Sequence, residues 1–325
     1  MPGVFVAAID LGGTKAALAL VGKDKSITHR QVLHTSDYLR PEDFVQAISA
    51  WLGSVQKELS PLDRIVGVGV GAPSGNRLHG TLDYAPNMPW EGVVPLATLL
   101  HEKTGLPCVL DNDANVAAYG EWEFGAAREM DDFIVITLGT GLGSAFICNG
   151  RMLYGHQGLA GEAGHMVIVP GGRPCKCGRQ GCAETYCSAT GFMMTFRELM
   201  QEAGREQELV HYFDPKAVEA AAKMGDTIAR ESFQKTAEWL GLTLANCCVF
   251  SNPRLIVLTG GLAGAGKLLL QPLQEVFERN LLRSYKGHVS LTFSALPGQD
   301  AALLGAASLV WRSFSSANPE FHEFL

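Results

Sequence analysis

Apolar positions along this chain fall into short runs that break at glycine-rich turns, and one such frame occurs twice. Val4–Ile9 and Phe133–Ile136 are apolar runs of strand length. Each passes through a turn and enters a second apolar run, Ala16–Val21 and Ser144–Cys148. The pattern predicts strand–turn–strand, used twice. A period of 3.6 takes over at Pro41–Ser60, where Phe44, Ala47, Ile48, Trp51, Leu52 and Val55 share one helical face behind a Pro-Glu-Asp start. Arg64–Gly71 is a strand whose alternating glycines predict close packing, and Pro107–Leu110 is a short buried strand ending at Asp111. Ala114–Phe124 turns helical, so the first third reads β-β-β-α-β-β-α. Beyond Phe133 a loop region rich in Gly, Cys and His (Gly155–Tyr186) gives way to mainly helical sequence. Arg254–Thr259 is an apolar strand closing on Gly260-Gly261, His288–Phe293 another strand, and Ala301–Arg312 a helix packing back. The expected division is residues 1–117, completed by a C-terminal helix within 301–325, and residues 118–300.

The two turns carry candidate chemistry. The first is Asp10-Leu11-Gly12-Gly13-Thr14-Lys15 and the second Leu138-Gly139-Thr140-Gly141. Glycines let backbone N–H groups approach a phosphate with no Cβ in the way, and threonine hydroxyls add donors. Asp10 suits a position near Mg2+, and Lys15 supplies positive charge. A tight hairpin with a turn aspartate is the plainer reading of either turn alone. Their repetition points to a duplicated ATP-binding core.

Asp111-Asn112-Asp113-Ala114-Asn115 follows a strand and opens a helix. N-capping accounts for one or two of these residues. Two acids and two amides in five residues exceed that need. A kinase acting on a hydroxyl requires a carboxylate to accept the proton, and Asp113 is the candidate base, with Asn112 on a neighbouring sugar hydroxyl.

A third cluster joins Glu162-Ala163-Gly164-His165 to Cys175-Lys176-Cys177 and Cys182, with Glu184 two residues on. One His and three Cys supply the four ligands of a closed tetrahedral zinc site, structural rather than catalytic. His156 is the alternative histidine but lacks a flanking Glu. The other five cysteines read as buried thiols. Gly261–Lys267 imitates the start of a P-loop, but Leu268 stands where the magnesium-binding Ser or Thr is needed. Gly260-Gly261 reads better as a flat backbone surface for adenine and ribose.

Bulk composition narrows the class. Hydrophobic residues make up 47% and charged residues 18% of 325, the balance of a folded globular chain. A net charge of −7 and the absence of a basic run argue against nucleic acid as a partner. No run reaches the length needed to span a membrane, and Asp10 interrupts the only stretch that could act as a secretory signal. A cytoplasmic location is the expectation.

Taken together, these residues resemble the ROK family of sugar kinases, in particular its bacterial-type glucokinases, from Ile9 to about Gly305. The most specific parts are Glu162-x-Gly164-His165 and Cys175-x-Cys177-Gly178-x-x-Gly181-Cys182-x-Glu184. The resemblance implies an α/β actin-like ATPase (ribonuclease H-like) fold, with two mixed-sheet domains around a central cleft, and a homodimer. It places Asp10, Gly12, Gly13, Thr14, Lys15, Thr140, Gly141, Gly260 and Gly261 at ATP. It places Asn87, Asn112, Asp113, Glu162, His165 and Glu184 at the sugar, with Asp113 as base, and His165, Cys175, Cys177 and Cys182 at zinc. The implied reaction is phosphorylation of a hexose, D-glucose first, by Mg-ATP. Fructose, mannose, allose or an N-acetylhexosamine are alternative substrates, and a non-catalytic sugar sensor is an alternative role. Two departures from the family stand out. Ser144 follows Gly143 where a further glycine is usual, and Ala72-Pro73-Ser74-Gly75-Asn76 replaces a Pro-Gly-x-Val-Asp-like segment near the expected sugar pocket.

Overall fold

Val6, Ala7, Ala8 and Ile9 are all fully buried, which marks their strand as one covered on both faces. In the computed structural model, which describes residues 3–85, 88–298 and 300–313, that strand is β1 (Val4–Leu11), at the centre of a five-stranded sheet. It is flanked by β2 (Lys15–Gly22) and β3 (Ile27–His34) on one side. On the other come β4 (Arg64–Ala72) and, after the short hairpin sheet β5 (Gly75–Asn76), β6 (Thr81–Asp83) and β7 (Val93–Val94), strand β8 (Cys108–Asn112). The order is β3-β2-β1-β4-β8, with β1·β2 and β2·β3 antiparallel and β1·β4 and β4·β8 parallel.

Period-2 alternation divides this sheet's core in two. Ala7, Ile9 and Leu11 face a cluster built with helices α1 (Pro41–Glu58) and α2 (Leu96–Thr104). Val6 and Ala8 face another, built with α3 (Asp113–Glu123) and α9 (Ala301–Ser313). Gly69 explains the glycine-rich strand: a Cβ there would lie 1.9 Å from the Ala306 carbonyl oxygen, so only glycine admits α9 so close. The helix α2 and the three short strands were not legible in the sequence, because their apolar residues are too few to set a period.

The second unit repeats the plan. β9 (Phe133–Leu138) is central, with β10 (Leu142–Cys148) and β11 (Arg151–Met152) antiparallel on one side and β12 (Leu255–Thr259) and β13 (Ser290–Phe293) parallel on the other. The order β11-β10-β9-β12-β13 matches the first sheet strand for strand. Its core packs Ile134, Ile136 and Leu138 against α5 (Ala189–Glu202), α7 (Thr227–Ser251) and α8 (Lys267–Asn280), with the short α4 (Glu184–Cys187) and α6 (Pro215–Met224) alongside.

Among the described residues, one compact unit takes in the chain up to Arg128, Tyr154–Leu159 and the chain from Ala295. The other takes in Glu129–Leu153 and Ala160–Ser294. Helix α3 therefore belongs wholly to the first. No helix among the described residues is long and apolar enough to cross a membrane.

Candidate active site

In the first unit the candidate residues collect at the carboxyl ends of parallel strands, where ligands of open α/β sheets bind. Asp10 pairs with Gly71 in register, and Gly71 with Asp111, so three adjacent strands end together. Asp113 follows as the first residue of α3. The turn between β1 and β2 is closed by the Gly12 N–H donating to the Lys15 carbonyl at 2.9 Å. Buried Thr35 braces it from outside, donating Oγ1 to the Gly12 carbonyl (2.8 Å) and its own N–H to the Thr14 carbonyl (2.9 Å). Gly12 and Gly13 are half-buried, whereas Thr14 and Lys15 stand exposed at the tip.

The two neighbouring acids have different surroundings. Asp111 is fully buried, and its carboxylate accepts from the Asn112 N–H (2.8 Å), Asn115 Nδ2 (2.8 Å) and the Tyr154 hydroxyl (2.6 Å). Tyr154 in turn meets the Tyr119 hydroxyl at 3.1 Å. Burial raises the Asp111 carboxyl above its ordinary value, against the pull of Tyr154 and Asn115. Asp113 instead reaches solvent, and its side chain accepts from the Ala114 N–H (2.8 Å) at the helix start. Surrounding protein still desolvates it enough to raise its carboxyl. Asp10 is raised too, first by burial and then by the charge of Asp113. Asn112 is the N-cap of α3: its Oδ1 accepts the Asn115 N–H at 2.8 Å, leaving its amide nitrogen as a donor for a ligand. Asn87 lies outside the described residues. Asn76, in the segment that departs from the family pattern, is committed to structure: its amide donates to Asp83 (2.9 Å) and the Gln157 carbonyl (3.3 Å).

The second unit presents the other set. Its turn is closed by the Gly139 N–H on the Gly141 carbonyl (3.1 Å) and braced by the start of α5. There the Ala189 N–H donates to Gly139 (2.8 Å) and Thr190 Oγ1 to Thr140 (2.8 Å). Glu184 Oε2 accepts the Leu142 N–H at 3.0 Å and sits where a Cβ on Gly141 would fall 2.5 Å away. Glu184 is thus tied to this glycine turn. Gly260 follows β12 at φ 93°, and a Cβ there would lie 2.6 Å from the Leu138 carbonyl oxygen. Gly261, with open space around it, starts the 3-10 turn Gly261–Ala265.

His165, Cys175, Cys177 and Cys182 place their ligand atoms within 4.8 Å of one another; His156 is not part of the group. Cys175 Sγ lies 3.7 Å from His165 Nδ1, and Cys177 Sγ 3.6 Å from Cys182 Sγ. Tetrahedral zinc–thiolate geometry requires sulfur–sulfur edges of about 3.8 Å, so the donor set fits that ion. Backbone turns hold the sulfurs: the Cys175 N–H donates to Arg179 (2.9 Å) and the Gly178 N–H to Cys175 (3.0 Å). Arg173, which sequence reasoning missed, fastens this loop to α5. It donates to the Thr185 carbonyl (2.8 Å) and Thr195 Oγ1 (3.0 Å), pairs with Glu198, and stacks on Tyr186. No local pattern marks Arg173, Thr35 or Tyr154, because each acts on residues distant in sequence.

Twin mixed sheets of identical order, each with a glycine turn between its first two strands, define the actin-like ATPase fold. The chain belongs to the ROK family, whose model matches residues 6–313. A glucokinase of Streptomyces coelicolor is 34% identical over 312 residues, 93% of this chain and 96% of that one. A glucokinase of Thermotoga maritima is 32% identical, with 95% and 98% covered. The crystal structure of a ROK family glucokinase from Streptomyces griseus, in complex with glucose and AMPPNP, superposes with a TM-score of 0.76 at 32% identity, covering 94% of this chain and 98% of that one.

Proposed function

We propose that this ATP-dependent hexose kinase phosphorylates D-glucose at its 6-hydroxyl, with Asp113 as general base. The observation that carries the reading is the contrast between two acids two residues apart. Asp111 has its lone pairs taken by protein donors, while Asp113 reaches solvent beside Asp10 and the first glycine turn. Burial raises the Asp113 carboxyl above its ordinary value, which makes it a stronger base. Asn112 and, in the second unit, Glu162, His165 and Glu184 would orient sugar hydroxyls, as would Asn87.

The glycine turns, Thr14, Lys15 and Thr140 would bind the phosphates through N–H, hydroxyl and ammonium donors. Gly260 and Gly261 would offer bare backbone to the nucleoside. Asp10, a hard oxygen donor beside a second carboxylate, suits Mg2+, which when bound supplies positive charge against the transferring phosphoryl. His165, Cys175, Cys177 and Cys182 would hold structural zinc, with no ligand position left over for catalysis. The two compact units are proposed as the enzyme's two domains, acting in the cytoplasm as a homodimer.

The test is ADP release from Mg-ATP with glucose, fructose, mannose, allose, N-acetylglucosamine and N-acetylmannosamine. Glucose should give the highest kcat/KM. Preference for another sugar would reassign the substrate and keep the chemistry. No turnover on any of them, with zinc bound, would overturn the kinase reading.

A further inference from the structure

Glu162 sits at the centre of a three-residue turn. Its backbone (φ −77°, ψ 56°) is that of an inverse γ-turn, closed by the Ala163 N–H donating to the Gly161 carbonyl at 2.8 Å. Such a turn is weak by itself, because a single bent hydrogen bond holds it. Here a side chain from β10 grips both ends. The Ser144 hydroxyl donates to the Gly161 carbonyl and accepts the Ala163 N–H at 2.9 Å. Ser144 and Ala163 are both buried, so no bulk water competes for these groups. The chain then continues into the 3-10 turn Ala163–His165, where the His165 N–H donates to the Glu162 carbonyl at 3.0 Å. At the middle of that turn, a Cβ on Gly164 would lie 2.2 Å from the Leu142 carbonyl oxygen, so the loop lies flat along β10.

We propose that Ser144 is a positioning residue for the sugar-reading side of this enzyme, locking the turn that aims Glu162. The inference rests on the hexose-kinase reading and assigns that site one more determinant. A glycine in place of Ser144 would leave the Ala163 N–H without its side-chain acceptor and the turn with one closing bond. Fixing Glu162 before the sugar arrives removes an ordering cost from binding, so the effect belongs in sugar affinity. Ser144 also lies three residues beyond Gly141, on the strand that leaves the phosphate turn. A merely structural defect of β10 would therefore disturb ATP as much as sugar.

The experiment compares wild type with Ser144→Ala, Ser144→Thr and Ser144→Cys, the last filling the space with a poor hydrogen-bonding group. KM for glucose, KM for Mg-ATP and kcat are measured, together with hydrogen exchange at the Ala163 amide. In the Ala and Cys variants KM for glucose should rise about tenfold, with KM for Mg-ATP within about twofold of wild type. The Thr variant, which keeps the hydroxyl, should restore both the glucose KM and the protection of Ala163. A folded Ala or Cys variant with wild-type glucose KM, or one in which both KM values rise together, overturns the proposal. Absence of sugar turnover in wild type itself is the separate result that overturns the kinase reading.

Discussion

The two glycine turns share a backbone plan and differ in what that plan has been given to do. Each joins the first two strands of a five-stranded mixed sheet with the same order and the same sense of pairing. In the first, the residue two before the first glycine is the carboxylate Asp10, half-buried near Asp113. The corresponding residue of the second is Thr137, whose hydroxyl accepts the Gly143 N–H at 3.1 Å. The first turn is braced by one buried residue, Thr35, whereas the second is braced by a helix start and by Glu184. Duplication thus supplies two glycine turns, and of the two corresponding residues, Asp10 and Thr137, only that of the first is a carboxylate.

The comparison breaks most decisively at the acids of the first unit. Asp113→Asn should lower kcat by about 10³-fold or more while glucose still binds, as titration calorimetry can report. Turnover close to wild type would remove Asp113 from its role. Asp10→Asn should cost at least about a hundredfold in kcat, and Thr137→Val, its counterpart in the second turn, less than about tenfold. Equal losses would mean that the two turns share the metal-directed chemistry after all.

The pH profile sharpens the same point. Because desolvation raises the Asp113 carboxyl, kcat/KM should fall on the acid side at a pH above the usual carboxylate range. For stability the sign reverses. The folded chain holds a proton that the unfolded chain releases, a contribution present at low pH and lost as pH rises through the raised value. Asp113→Asn should therefore melt slightly above wild type at neutral pH, and a lower melting temperature there would argue against desolvation as the cause.

Chelation of zinc should expose the loop from Gly161 to Ala183 to protease, with cuts at Arg173, Lys176 and Arg179, and leave the first unit resistant. An unchanged cleavage pattern with zinc verifiably removed would count against a structural metal. The smallest expected effect is that of Tyr154→Phe. Losing the hydroxyl that bonds Asp111 should destabilise the fold by about 1.5–3 kcal/mol, with a kcat change under about tenfold. A loss as large as that of Asp113→Asn would make Asp111 a partner in proton transfer.

Much of this was legible beforehand where chemistry and periodicity are local. The helix expected over Pro41–Ser60 is Pro41–Glu58, and the strand expected over Arg64–Gly71 is Arg64–Ala72. Both have long, regular apolar patterns. The Cys-x-Cys and Cys182 spacing led to a group that closes with His165 within 4.8 Å. By contrast, the sequence alone points to Asp113 as base with Asn112 beside it, but gives no account of what Asp111 does. Its role is visible only from the three donors that converge on it, one of them a tyrosine 43 residues away.

What the sequence determined by itself was whatever nearest neighbours enforce: strand and helix periods, the two glycine turns, the acid-rich helix start and the set of metal-ligating side chains. The tertiary structure decided which of these groups remain available. Burial and hydrogen bonding from distant residues consumed Asp111 and Asn76 in holding the fold, left Asp113 open to solvent, and set the Ser144 hydroxyl across the turn beneath Glu162. The physical reason is that a polar group's role depends on how many of its bonds the folded chain already satisfies, and that count is settled only when remote segments pack.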